Sequence, residues 1–91
     1  LAILLLASPA AGQDRPCDTR ADILANLAEH YDERWIAGWG LSNTGNIVEV
    51  VTGGEWGTWS IIVTTPQGCT YLFGAGEGWR NKAAPEPGEA T

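Results

Sequence analysis

The sequence predicts one small α+β domain, with a single N-terminal helix packed on a four-stranded antiparallel meander sheet and closed by one disulfide. Three observations carry this. Apolar residues recur at helical spacing between Ile23 and Tyr31, then switch to alternation from Trp35 onward. Two cysteines, Cys17 and Cys69, bracket most of both patterns. The connections between the alternating segments are short, which suits antiparallel neighbours in chain order.

The helix begins at Thr19-Arg20-Ala21-Asp22, a T-x-x-D start. There a hydroxyl and a carboxylate satisfy the first free backbone N–H groups. Ile23, Leu24, Leu27, Ala28 and Tyr31 form an apolar stripe, and Asn26, Glu29, His30 and Glu33 fall on the other side. The helix is expected from about Thr19 to Glu33.

From Trp35 to Leu41 the period is two, with Trp35, Ala37, Trp39 and Leu41 on one face of a first strand. Ser42-Asn43-Thr44-Gly45 supplies turn chemistry. Asn46 to Thr52 is a β-branched second strand, and Gly53 to Gly57 connects it to the third, Thr58 to Thr65. Trp59, Ile61 and Val63 are expected on the core face. Pro66-Gln67-Gly68 turns the chain into the fourth strand, Cys69 to Ala75. The helix then lies across one face of the sheet, and the disulfide joins the segment before it to the start of the fourth strand.

The folded unit is expected at residues 16–82, between two segments of different character. Residues 1–11 read as the remnant of a signal peptide: the apolar run Leu1 to Ala7, then Ser8-Pro9-Ala10-Ala11 with small residues where a peptidase cuts. The run is too short to span a bilayer. Residues 83–91 (AAPEPGEAT) hold no bulky apolar side chain and are expected to form a disordered tail. A leader places the mature domain in the periplasm or outside the cell. In that oxidising setting an isolated cysteine pair without CxxC spacing reads as a structural disulfide, Cys17 to Cys69. A metal site is not expected, because one histidine and two distant cysteines supply too few ligands.

Eleven acidic side chains against five basic ones give a net charge of −6, with no Lys or Arg cluster. Nucleic acid and anionic lipid both reward clustered positive charge, so neither is an expected partner. Catalysis finds little to use. His30 is the lone histidine and falls on the polar side of the helix, and no G-x-S-x-G signature occurs. Two carboxylates suffice for a glycosidase, and Glu49 with Glu55 or Glu77 would be the pair, but so small a domain rarely forms the cleft that chemistry needs. Gly74-Ala75-Gly76-Glu77-Gly78 follows a strand instead of opening a helix, so it reads as a turn that folds Trp79 back, and not as a phosphate loop. The expectation is therefore no enzyme activity and no cofactor.

Five tryptophans remain to be explained. Trp35, Trp39 and Trp59 read as core, whereas Trp56 and Trp79 fall in loops. With Glu55 and Glu77 beside them they make the candidate binding surface. Glu49 interrupts the apolar strand Ile47 to Val51. It is expected to be solvated on an open face, or paired with Arg34 or Arg80 on a core face.

Cys17, Tyr31-Asp32-Glu33, Gly40-Leu41, Glu49-Val50, Gly57-Thr58-Trp59-Ser60, Pro66-Gln67-Gly68-Cys69 and Gly76-Glu77-Gly78-Trp79 together resemble a group of short, exported, uncharacterised bacterial proteins. The resemblance spans nearly all of the mature domain. It implies export and a disulfide and carries no activity across. The function expected is a non-enzymatic binding or protein-interaction module, a monomer that meets an envelope protein or a glycan. An inhibitor-like domain against a basic cell-wall hydrolase and a carbohydrate-binding module are the alternatives.

Overall fold

The computed structural model describes residues 17–82. The leader expected at 1–11 and the tail expected at 83–91 lie outside the described residues. One helix, α1 (Arg20–Tyr31), precedes four strands, β1 (Trp35–Leu41), β2 (Ile47–Thr52), β3 (Trp59–Thr64) and β4 (Thr70–Gly76). The strands form one antiparallel sheet in the order β1-β2-β3-β4. Each boundary falls close to where the period changes in the sequence. Among the described residues no helix is long and apolar enough to cross a membrane.

Thr19 caps α1, its hydroxyl accepting from the Asp22 N–H at 3.1 Å. At the other end Asp32 takes a left-handed conformation, φ 56°. Its N–H donates to Ala28 O and that of Glu33 to Leu27 O. This reversal turns Glu33 inward, where it is only 2% exposed, and leaves Tyr31 facing solvent. Both are the opposite of what the helical stripe implies, because the helix ends before its period reaches Glu33.

A disulfide joins Cys17 to Cys69, with Cα atoms 5.5 Å apart. Beside it Asp18 and Thr70 exchange two backbone hydrogen bonds of 2.8 Å. Helix α1 therefore starts at the foot of β4 and crosses the sheet on the face that carries Thr70. Directly paired residues share a face. Thr70 pairs with Thr64, and their hydroxyls meet at 2.8 Å. The helix-covered face thus holds Ser60, Ile62 and Thr64 of β3 with Glu49 and Val51 of β2. Leu27, Val51 and Ile62 make the core, with Ile23 and Leu24 packed against it. Each fully buried aliphatic chain of this kind contributes about 1.5–3 kcal/mol.

Trp59, Ile61 and Val63 occupy the face opposite the helix, where Val63 is buried at 5% exposure and Trp59 and Ile61 are half-buried, so the expectation that this row forms the core side holds for Val63 alone. Both faces of β3 are rich in β-branched residues, so alternation alone cannot choose between them; the tether at Thr70 does. A bulge between Ile36 and Gly38 makes a second correction. It splits the supposed single row: Trp35 pairs with Thr52 on the open face, while Trp39 pairs with Glu49 and Leu41 with Ile47 on the helix side. Neither Trp35 nor Trp39 is core, since both are exposed.

Glu49 faces the helix and is 5% exposed. Its partner is neither Arg34 nor Arg80 but Arg20 from the first turn of α1. The guanidinium donates from Nε at 2.9 Å and from Nη2 at 2.7 Å to the two carboxylate oxygens. Hydrogen bonding to Glu49 in turn holds the Arg20 pKa above its ordinary value.

Candidate functional site

After β4 the chain turns at Gly78, φ 75°, and residues 79–82 return along the open face as a strap. The Trp79 N–H donates to Gly57 O at 2.9 Å, and the Trp56 N–H donates to Trp79 O at 2.6 Å. Glu55 clamps the strap by accepting from the Asn81 N–H at 2.7 Å and from Arg80 Nε at 2.9 Å. The Asn81 N–H first, then Arg80, hold the Glu55 carboxyl below the ordinary glutamate range. Arg80 also lies over the Trp56 ring, 4.2 Å from its centroid, in cation–π geometry. Trp56 itself sits at φ 66°, a conformation uncommon for a bulky residue.

Of the four residues singled out by sequence, the structure brings Glu55, Trp56 and Trp79 together. Trp56 is exposed and Trp79 half-buried. Glu77, exposed in the preceding turn, makes none of these contacts.

The strap is one wall of a groove that runs along β1 on the face away from α1. Three adjoining hollows form it. The first, about 370 Å³, lies between Trp35, Thr52, Gly54 and Asn81. The second, about 480 Å³, has Ala37, Gly38 and Val50 as its floor and Trp79, Asn81 and Lys82 as its wall. The third, about 420 Å³, continues over Gly38 and Gly40 to Leu41 and Ser42, beside Val48 and Val50. Ala37 and Asn81 are common to the first two, Gly38 and Val50 to the last two.

The groove exists because β1 has hydrogens where side chains would stand. A Cβ placed on Gly38 or on Gly40 meets no atom within 4 Å. Glycine inside a strand weakens it and often marks close approach by a ligand or another backbone. That was the signal in Gly38-Trp39-Gly40 by which the groove could have been found. A strand of this length is about 23 Å long, room for an extended segment of about six residues.

Glu49 is on the helix-covered face and bound to Arg20, whereas Glu77 lies past the end of β4. Glu33 accepts a 2.6 Å hydrogen bond from Thr58 Oγ1 through Oε2, and its buried Oε1 has no hydrogen-bond partner among the described residues. His30 is exposed on the last turn of α1. Among the described residues no three His, Cys, Asp or Glu side chains are grouped to hold a metal.

Compared with family models, with curated proteins and with solved structures, the chain matches none.

Proposed function

We propose that this is an exported, non-enzymatic binding module whose β1 groove takes an extended segment of a protein partner. The observation that carries the reading is the continuity of the three hollows over Gly38 and Gly40. Export is supported by the apolar leader in the sequence and by the disulfide, which persists in oxidising compartments. A protein segment is favoured over a glycan by the lining. Valine, alanine, glycine and tryptophan dominate it, and only Ser42, Thr52, Asn81 and Lys82 bring polar side chains. Sugar hydroxyls need a denser set of donors and acceptors to replace their water. The acidic chain favours a partner with positive charge outside the groove, which includes a basic hydrolase.

The glycan reading keeps one observation in its favour, the Trp35 and Trp79 rings at the groove walls. The test compares the oxidised chain with Gly38→Val/Gly40→Val in affinity capture from a cell-envelope extract. Valine fills the groove, and the open space above both glycines lets the variant fold. Capture of one protein by the wild type and its loss in the variant is the expected result. Equal capture by both removes the groove from the interaction. Tryptophan fluorescence that shifts with wall glycans, and not with protein, moves the ligand class to carbohydrate.

A further inference from the structure

Taking the β1 groove as the binding site, we propose that the segment filling it is proline-rich and lies there as a polyproline II helix. The reason is the balance of donors and acceptors. Strand-to-strand hydrogen bonds run in the plane of a sheet, so a segment laid on its face finds no backbone partners in the floor. That floor is Ala37, Gly38, Gly40 and Val50, which bring no polar side chain. The walls must therefore satisfy whatever polar groups the segment carries into the groove.

Among the described residues, the polar side chains of the lining offer donors and withhold acceptors. Trp79 Nε1 donates to Asn81 Oδ1 at 2.8 Å, which engages the amide oxygen and leaves the NH2 group to give. Trp35 brings an indole N–H and Lys82 an ammonium, and neither group can accept. Ser42 Oγ already accepts from the Thr44 and Asn46 N–H groups. Thr52, 3% exposed, engages its hydroxyl with Thr58 O and the Gly54 N–H. The lining holds one cation and no carboxylate, so it suits the negative ends of carbonyl dipoles.

An ordinary extended segment carries one N–H on every residue, and those turned to the floor lose water without finding a partner. Proline brings a carbonyl and no N–H. A run of prolines also holds the polyproline II form without internal hydrogen bonds, so it arrives already ordered. Segments of this kind dock in aromatic-lined grooves. Here the aromatic walls are Trp35 and Trp79. The space above Gly38 and Gly40, where a Cβ would meet nothing within 4 Å, leaves room for a ridge of rings. At about 3.1 Å per residue, the strand's length of about 23 Å takes about seven residues.

The test titrates the oxidised chain with two capped heptapeptides, one all proline and one of alanine and serine. Tryptophan fluorescence reads the affinity, and the amide NMR signals of Gly38 and Gly40 read the place. The proline peptide should bind with a submillimolar dissociation constant and move both glycine signals, and the alanine–serine peptide should bind at least about tenfold more weakly. Trp35→Phe keeps a ring and removes the N–H, and should weaken proline binding about three- to tenfold. Trp35→Ala should weaken it further, and both changes fall at an exposed site that tolerates them. Leu72→Ala, on the helix-covered face through its pairing with Ile62, should leave binding unchanged. Equal binding of the two peptides overturns the proline assignment and leaves the groove in place. So does failure of both peptides while Gly38→Val/Gly40→Val still loses the captured envelope protein. Failure of both peptides, with capture untouched by that variant, removes the proline assignment and the groove together.

Discussion

Arg20→Ala tests the reasoning about the helix-covered face most directly. The substitution leaves Glu49, 5% exposed, without the two hydrogen bonds that neutralise it. Removing one member of a fully buried pair costs about 3–5 kcal/mol. The Arg20 side chain is 45% exposed, so water reaches part of the gap and the cost falls to about 2 kcal/mol. A domain of this size has a total stability of about 3–10 kcal/mol, so the loss is a large share of it. The midpoint of thermal unfolding should fall by about 10 °C. Urea unfolding followed by circular dichroism measures the change. Adding Glu49→Gln should recover about 1 kcal/mol, because a neutral amide relieves the buried charge that Arg20→Ala strands. Arg20→Lys should fall between wild type and alanine, since lysine keeps the charge and loses the two-pronged contact. A loss below about 0.5 kcal/mol for Arg20→Ala, or no recovery with Glu49→Gln, refutes the claim that the pair holds the helix to the sheet.

Cys17→Ser/Cys69→Ser opens a loop with a sequence separation of 52 and should cost about 4 kcal/mol by the chain-entropy relation, read from the same unfolding curves. Thr58→Val removes the hydrogen bond to the buried Glu33 side chain and should cost about 2 kcal/mol; an unchanged midpoint would show that solvent serves Glu33 instead. Gly40→Val should stabilise the chain by about 0.5–1 kcal/mol, because a strand glycine gives way to a β-branched residue in open space. The strap should respond to acid. The Glu55 pKa is lowered on folding, so its contribution is full above the ordinary value of 4.5 and is lost as pH falls through the lower folded value. The Trp79 indole signal, followed by NMR, should hold steady down to that ordinary value and change below it, and Glu55→Gln should abolish the change.

Local chemistry made the elements legible. The Thr19 cap, the turn residues after Leu41 and Thr65, and each change of period place the helix and strands within a few residues of their observed ends. Which face the helix covers was not legible. Ile61 with Val63 and Ile62 with Thr64 are equally β-branched, and only the spatial tether at Thr70 decides between them. The bulge at Ile36–Gly38 leaves no mark that alternation could register, so alternation alone puts Trp35 and Trp39 in one row. Glu49 announced itself as anomalous, yet its partner is 29 residues away and joins it only when α1 crosses the sheet. Glu55, Trp56 and Trp79 were legible as a loop cluster. Their role as clamp and wall of a groove was not, because the floor is made of absent side chains.

The Asp18–Thr70 bridge also orders events in time. Every strand pairs with its neighbour in sequence, so the meander closes through short loops, without waiting for distant segments. Forming a disulfide takes seconds to hours, far longer than closing hairpins. The sheet therefore precedes the covalent bond. The hydrogen-bonded bridge next to the two cysteines brings the thiols into reach of one another while both are still reduced. Oxidation then acts as a latch on a shape already chosen, and a chain that meets its oxidant late still arrives at the same pairing.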